Sequence, residues 1–384
     1  MPFTPNRFGQ KLRGLVDDRQ ESIPDISVAT GITQNRLSSI SQGEIEPSGD
    51  EVLILADYFK CGFEWLIDDD TPNPDENVHL MFRREGGRLN REDRKSIQEF
   101  IFLCRNQAFL ENLLNRTPNA QVRRCQSQGK FYKDHGMQCA QQIRQKLDIP
   151  PNGIVLDIYQ KLRGAGLKVF RLMLGSSSIS GLSINHPEAG RCILVNYSED
   201  YFRQCFSAAH ECAHVFLDDD NDYNISRDGD WSSSDLKEIR ANSFASHFLM
   251  PVELLKSRRS STEWHDSATL LSEARMFRVT VPALLKALLD AKLITKQQRE
   301  QLHNRRLTDA GREDPELPGT LTQQQRQRRL ALLKKGLSPA YLDLCFDSYQ
   351  QNLISRGKLA ECLMTDVHGL AGIGILFNRS LKHE

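Results

Sequence analysis

The sequence predicts an α+β protein: an all-helical head, a central domain in which a small antiparallel sheet lies beside a helix carrying two histidines, and a helical C-terminal module. Three observations predict it. Up to Gly164 apolar residues recur at helical spacing, as in Phe8, Leu12 and Leu15, or Val52, Leu55, Ala56 and Phe59. Past Gly166 the period shortens in LKVFRL (167–172), SISGLSI (178–184) and RCILVNY (191–197), short β-rich runs separated by turn residues. Helical spacing resumes near Tyr201 and continues, with breaks, to the end. Strands followed by such a helix suit a small α+β unit.

The head reads as a bundle of short helices. After the Phe8–Leu15 helix, a second fits Asp25–Thr30 and is broken by Gly31. Thr33 can cap a third helix running to about Ser41, and Ser48–Phe59 forms a fourth. Phe63, Trp65, Leu66 and Ile67 close the unit. Asp68–Glu76, with two prolines and five acidic residues, reads as a solvated linker. Four segments result: a head at 1–70, a helical connector at 71–134, a central domain at 135–303 and a C-terminal module at 304–384. Within the connector, 89–115 is strongly helical and Asn115–Gln128 is a polar loop. Helices are expected at His135–Leu147 and Ile154–Gly164, and 304–329 is a charged, Gln-rich linker.

A chain of 384 residues exceeds one ordinary domain, and 39% hydrophobic with 26% charged residues is ordinary globular composition. No apolar run approaches the roughly 20 residues of a membrane span. The N-terminus lacks the apolar core and cleavage site of a signal peptide, so the cytoplasm is the expected compartment. Nine cysteines, an odd number with no CxxC pair, argue for free thiols over a disulfide framework. The formal charge is zero, but unevenly spread: residues 1–75 hold 6 Lys/Arg against 14 Asp/Glu, and residues 76–150 hold 14 against 8.

The chemistry concentrates in FSAAHECAHVFL (206–217). His210 and His214 are four apart, so a helix projects both from one face, where two imidazoles can bind one Zn²⁺. Glu211 lies beside them and can take a proton from a metal-bound water as general base. Two histidines and a glutamate on an apolar helix are expensive to bury without a cation. A catalytic zinc needs a third protein ligand, and DLKEIRANSFASHFLMP (235–251) supplies one. Its apolar positions mark a helix whose other face carries Asp235, Glu238 and Asn242. Glu238 is chosen as ligand, with Asp235 its competitor, and Asn242 is placed to accept the N–H of a ligand histidine. His247 falls on a different face, as a packing or cleft residue. Ligand type alone leaves manganese open beside zinc.

Residues 203–214 (RQCFSAAHECAH), followed by the ExxANxFAxxFLMP run at 238–251, resemble the ImmA/IrrE family of metallopeptidases. SGLSI and ILVN (180–184 and 193–196) resemble that family's strands, and the likeness extends over about 135–290. Cys212-Ala213 stands where members usually have Leu-Gly, and Cys212 is read as a small apolar filler. The resemblance implies a zincin-like fold and a metalloendopeptidase that relieves repression by cutting a helix-turn-helix regulator, often in stress, mobile-element or toxin–antitoxin settings. An edge strand, 178–184, is expected to hold an extended substrate by backbone pairing.

Residues 8–67 resemble the Cro/cI-like (XRE) helix-turn-helix family through FGQKLRGL, the turn at 29–32, TQNRLSSISQGEIEPS and the LADYF…FEWLI close. That likeness maps Gln34, Asn35, Arg36 and Ser39 to base- or phosphate-contacting positions in the major groove. The acidic balance of the head opposes a polyanion, so both DNA and a protein partner stay open as its ligand. The reading is a regulatory zinc metallopeptidase acting on a repressor or antitoxin, possible as a homodimer. The alternative is a transcription regulator whose peptidase-like domain senses a ligand without cleavage. The segment 337–366 is more loosely similar to the C-terminal helices of longer family members.

Overall fold

The computed structural model describes residues 3–116, 125–126, 129–175, 178–218, 222–227, 235–258, 264, 266–303 and 314–381. The stretch expected as a loop at 115–128, and the start of the 304–329 linker, lie largely outside them. The chain divides into two compact units. The first comprises Met1–Asn106 with Leu174–Ser177 and His186–Glu188; the second holds the remainder.

The first unit opens with α1 (Pro5–Arg19), α2 (Ile23–Thr30), α3 (Gln34–Gln42), α4 (Gly49–Phe59) and α5 (Phe63–Ile67). Local chemistry sets their limits. Ser22, Thr33 and Ser48 each cap a helix through a side-chain oxygen, and Gly31 and Gly43 end α2 and α3 in the left-handed conformation. Ser48 and Glu51 complete a reciprocal capping box. Phe8, Leu12, Ile26, Leu37, Ile40, Leu55 and Phe59 form one buried core. α6 (Glu76–Glu85) and α7 (Arg91–Leu113) follow.

The expected solvated linker is only partly so. Asp75 is buried, accepting hydrogen bonds from Gln98 at 2.8 Å and from His186 Nε2 at 3.0 Å. Acidic composition suggested solvent, but a carboxylate with two donors can be buried.

In the second unit α8 (Tyr132–Lys146) and α9 (Ile158–Gly164) lead into β1 (Lys168–Leu172), β2 (Ile179–His186) and β3 (Gly190–Asn196). Asp157 caps α9, which therefore starts later than its apolar run suggested. Next come α10 (Tyr201–Leu217), β4 (Tyr223–Arg227) and α11 (Leu236–Leu249). α12 (Val252–Ser257), α13 (Ser267–Phe277), α14 (Val281–Asp290) and α15 (Lys296–His303) continue the unit. It closes with α16 (Gln323–Leu333), α17 (Pro339–Gln350), α18 (Arg356–Cys362) and α19 (Gly369–Phe377).

The sheet order is β1-β3-β2-β4. It is mixed, not antiparallel as expected. β2 reverses the chain and β3 reverses it again, so β3 lies parallel to β1, while β4 pairs antiparallel with β2. β2 is therefore an inner strand, which corrects its assignment as the substrate-holding edge. An antiparallel bridge between Leu172 and Lys335 and a hydrogen bond from Met173 N to Lys334 O cover the outer side of β1. Among the described residues no strand pairs with the outer edge of β4.

Arg171 anchors the C-terminal segment. It is buried against the rings of Tyr159, Tyr197 and Tyr201, and it binds Asp314 and Glu316. Cys125 and Cys139 are joined by a disulfide, against the expectation of free thiols throughout; seven cysteines are free. Their Cα atoms lie 5.3 Å apart, a proximity created by tertiary packing that no CxxC spacing announces. No helix among the described residues is long and apolar enough to cross a membrane.

Arg36 grips Glu51 through two nitrogens at 2.8 Å and holds its carboxyl down at about 2, from 4.5. A depressed folded value contributes stability above about pH 4.5 that is lost as pH falls through about 2. Glu51→Gln should lower the thermal midpoint of the intact protein at neutral pH, and this difference should shrink as the pH falls through that window. Ser48→Ala, which removes the cap, should cost about 1 kcal/mol.

Candidate metal centre

α10 is the buried axis of the second unit. Asp200 caps its start through the N–H groups of Phe202 and Arg203, and fourteen of its seventeen residues are buried. α10 packs against both β3 and α11, and His210 and His214 are buried there. Cys212 is fully buried, its thiol pushed up by burial, in keeping with a passive filler.

α11 approaches because α8 lets it. A Cβ on Gly136 would overlap the Arg240 carbonyl oxygen and sit 2.8 Å from Phe244 N, so only glycine allows this backbone contact. Ser243 Oγ, donating to Lys133 O at 2.7 Å, fixes the same crossing.

The result brings three donors to one point. His210 Nε2 lies 3.0 Å from His214 Nε2 and 3.1 Å from Glu238 Oε2, and His214 Nε2 lies 3.3 Å from Glu238 Oε1. Asp235, the competing carboxylate, is instead the cap of α11, accepting from Lys237 N at 2.8 Å. Asn242 Oδ1 meets His210 Nδ1 at 3.1 Å, the position expected for it. His214 Nδ1 meets Asp218 Oδ2 at 2.5 Å, and Arg240 in turn binds Asp218. Sequence reading missed Asp218 and Arg240. The signal was available, because Asp218 follows His214 by four residues at the end of the same helix face.

The donor set fits a divalent cation. Acceptors at both Nδ1 atoms assign the N–H there, leaving both Nε2 lone pairs facing each other and a carboxylate. Three lone-pair donors this close repel unless a positive charge stands between them. Tetrahedral zinc with ligand bonds of about 2.0–2.1 Å has edges of about 3.3 Å, comparable to the 3.0 Å between the two Nε2 atoms, while the carboxylate meets each imidazole through a different oxygen. In the metal-free protein a proton takes the cation's part. Burial opposes charge on His214, but Asp218, Glu238 and Glu211 outweigh it and push its pKa up to about 10. Burial likewise raises Glu238, yet the facing imidazoles of His210 and His214 hold it well below the usual carboxylate range.

Glu211 sits apart from this triad, fully buried against β2. A Cβ on Gly181 would lie 2.7 Å from Glu211 Oε1, so the glycine inside the strand makes room for the carboxylate. A β-bulge between Ile179 and Gly181 falls at the same place. Burial raises the Glu211 pKa, opposed by the two histidines and by the Ser226 and Ser183 hydroxyls, which come near without forming a well-aligned hydrogen bond. Gly181, Ser183 and Ser226 were not legible as site residues; the isolated glycine within a strand was the one hint.

His247 donates its Nδ1–H to Ser243 O at 2.8 Å and lines a cavity of about 880 Å³ bordered by Asn242. In the head, Gln34 and Asn35 are exposed and Ser39 half-buried, whereas Arg36 is committed to Glu51 and to Glu46 O.

Residues 163–289, from the end of α9 through most of α14, match the family model described as the IrrE N-terminal-like domain, Peptidase_M78. This stretch is therefore similar to a metallopeptidase domain, and it contains His210, Glu211, His214, Glu238 and Asn242. The match supports the ImmA/IrrE resemblance there; it does not extend to the head or the tail. No curated protein matches the chain.

Zinc titrated into the metal-free protein should bind at about one ion per chain and release protons, because the ion displaces the proton held by His214. Affinity should then rise about tenfold per pH unit below about 10. Calorimetry in two buffers of different ionisation enthalpy reads the released protons directly; identical heats in both would contradict this. Gly181→Ala should displace Glu211 and leave zinc stoichiometry unchanged.

Proposed function

We propose that the chain is a regulatory zinc metalloendopeptidase that makes limited cuts in a protein partner, such as a helix-turn-helix repressor or an antitoxin, in the cytoplasm. The observation that carries this reading is Glu211, a buried carboxylate with a raised pKa next to a His–His–Glu set that fits a metal. A structural metal site has no use for such a group.

The roles follow from the residues. His210, His214 and Glu238 hold the ion, with zinc favoured by two imidazoles and manganese still compatible. Asn242 and Asp218 fix the tautomers of the two histidines. A bound zinc supplies a Lewis acid that polarises a carbonyl and lowers the pKa of water toward about 7. Glu211 accepts a proton at its carboxylate and returns it to the leaving amine; its raised pKa matches that task better than an ordinary glutamate. The outer edge of β4, which no strand among the described residues pairs, is the place for an extended peptide in this reading.

The head serves better as a protein-contact module than as an operator reader. Each of the six cations in residues 1–75 has an internal partner: Arg7 and Lys11 with Asp69, Arg13 with Ser41 O, Arg19 with Tyr58 O, Arg36 with Glu51, and Lys60 with Asp57. DNA binding needs such groups free for phosphates. Meanwhile Val28 on α2, 86% exposed, and Leu53 on α4 offer apolar surface. Gln34, Asn35 and Ser39 would then meet a protein partner, with a homodimer one form of it. The alternative, a regulator that senses a ligand and never cleaves, leaves Glu211 without a role.

Incubated with zinc and a helix-turn-helix regulator encoded beside it, the protein should produce one or two discrete fragments and leave casein intact. Glu211→Gln should keep the metal and lose about 10²–10⁴-fold in rate. Equal cleavage by that variant, or general digestion of casein, contradicts the proposal.

A further inference from the structure

Five helices, α8, α10, α11, α14 and α15, line an open cavity of about 880 Å³, and its wall includes none of His210, Glu211, His214 or Glu238. It meets the metal centre only through Asn242, the residue that holds His210. The cavity is therefore separate from the point where the three donors converge.

Its lining is unbalanced in charge. Lys133, Arg203, Lys286 and Arg299 face it against Asp134 and Asp290. Arg203 is paired with Glu199 at 3.3 Å, but the side chains of Lys133, Lys286 and Arg299 have no ion-pair or hydrogen-bond partner among the described residues. The six cations of the head, by contrast, all have internal partners. Three unpaired cations around one concavity raise its potential, and like charges held together cost free energy that an anion recovers. The first turn of α14, through Thr280, Pro282 and Ala283, forms part of the same wall and adds the positive end of a ten-residue helix. Phe206 and Ile239 supply apolar surface beside these charges. A wall of mixed apolar and convergent polar groups around such a volume is the usual form of a small-molecule site.

We propose that this cavity binds a small organic anion with an apolar body, of nucleotide size. An acidic peptide is the less suitable occupant. Among the described residues the wall is built from helices, with no strand edge to pair with an extended backbone, so a peptide would leave its own amides unsatisfied there.

The test uses the full-length protein and the fluorescent anion anilinonaphthalene sulfonate, which joins a sulfonate to an apolar ring system, with its uncharged parent phenylnaphthylamine as control. One sulfonate dye should bind per chain, at least about tenfold more tightly than the uncharged parent, and more weakly as salt is raised. The double variant Lys286→Glu/Arg299→Glu should lose about tenfold or more in dye affinity while keeping its far-ultraviolet circular dichroism and zinc content. Glu211→Gln should bind dye as the unmodified protein does, so this result stands apart from whether the chain cleaves anything. Equal binding of the uncharged parent, salt-independent binding, or unchanged affinity in the folded double variant overturns the proposal. So does displacement of the dye by hexaglutamate at concentrations similar to those of the dye, which would make the cavity a peptide site.

Discussion

Two imidazoles and a carboxylate held on two helices, their donor atoms within 4.8 Å of one another, form an arrangement that stands only around a positive charge. Much of the second unit can be understood as the means of holding it. Burial of α10 fixes the histidine rings, Gly136 admits α11 to backbone contact, and Asn242 and Asp218 turn both Nδ1 atoms outward. Each of these costs something alone: a helix without Cβ at one position loses helical propensity, and an ion pair between Asp218 and Arg240 gives up solvation. They are coherent as the outer supports of a cation site.

The same logic separates the two carboxylates. Glu238 faces the imidazoles and is held strongly acidic, whereas Glu211, one residue after the first histidine, points to β2 and is made more basic by burial. Identical side chains on two packed helices, α10 and α11, thus acquire opposite character. One is suited to holding a cation and the other to carrying a proton, which is the division of labour a hydrolytic site needs. In the head, the six cations meet its own carboxylates and carbonyls.

Local chemistry made much of this legible. Helix limits in the head follow from Ser22, Thr33, Ser48 and the two left-handed glycines, all of which act within a few residues along the chain. The His210–His214 spacing and the Glu238–Asn242 spacing are helical facts, so their geometry could be anticipated. What could not be anticipated depends on chain return. The direction of β1 relative to β3, the inner position of β2 and the pairing of Cys125 with Cys139 arise from tertiary packing, and β4 is a five-residue strand of mixed polarity with no alternation to mark it. Asp75 shows the opposite failure: acidic composition spoke for solvent, and two specific donors overruled it. The pairing of Arg36 with Glu51, fifteen residues away, is likewise set by tertiary packing.

The central claim is that His210, His214 and Glu238 together hold one metal ion. X-ray absorption at the zinc edge of the loaded protein tests it most directly. The account predicts a four-coordinate shell at about 2.0–2.1 Å with multiple-scattering features of two imidazoles, falling to one imidazole in His214→Ala. A six-coordinate shell of oxygen ligands without imidazole scattering would contradict it.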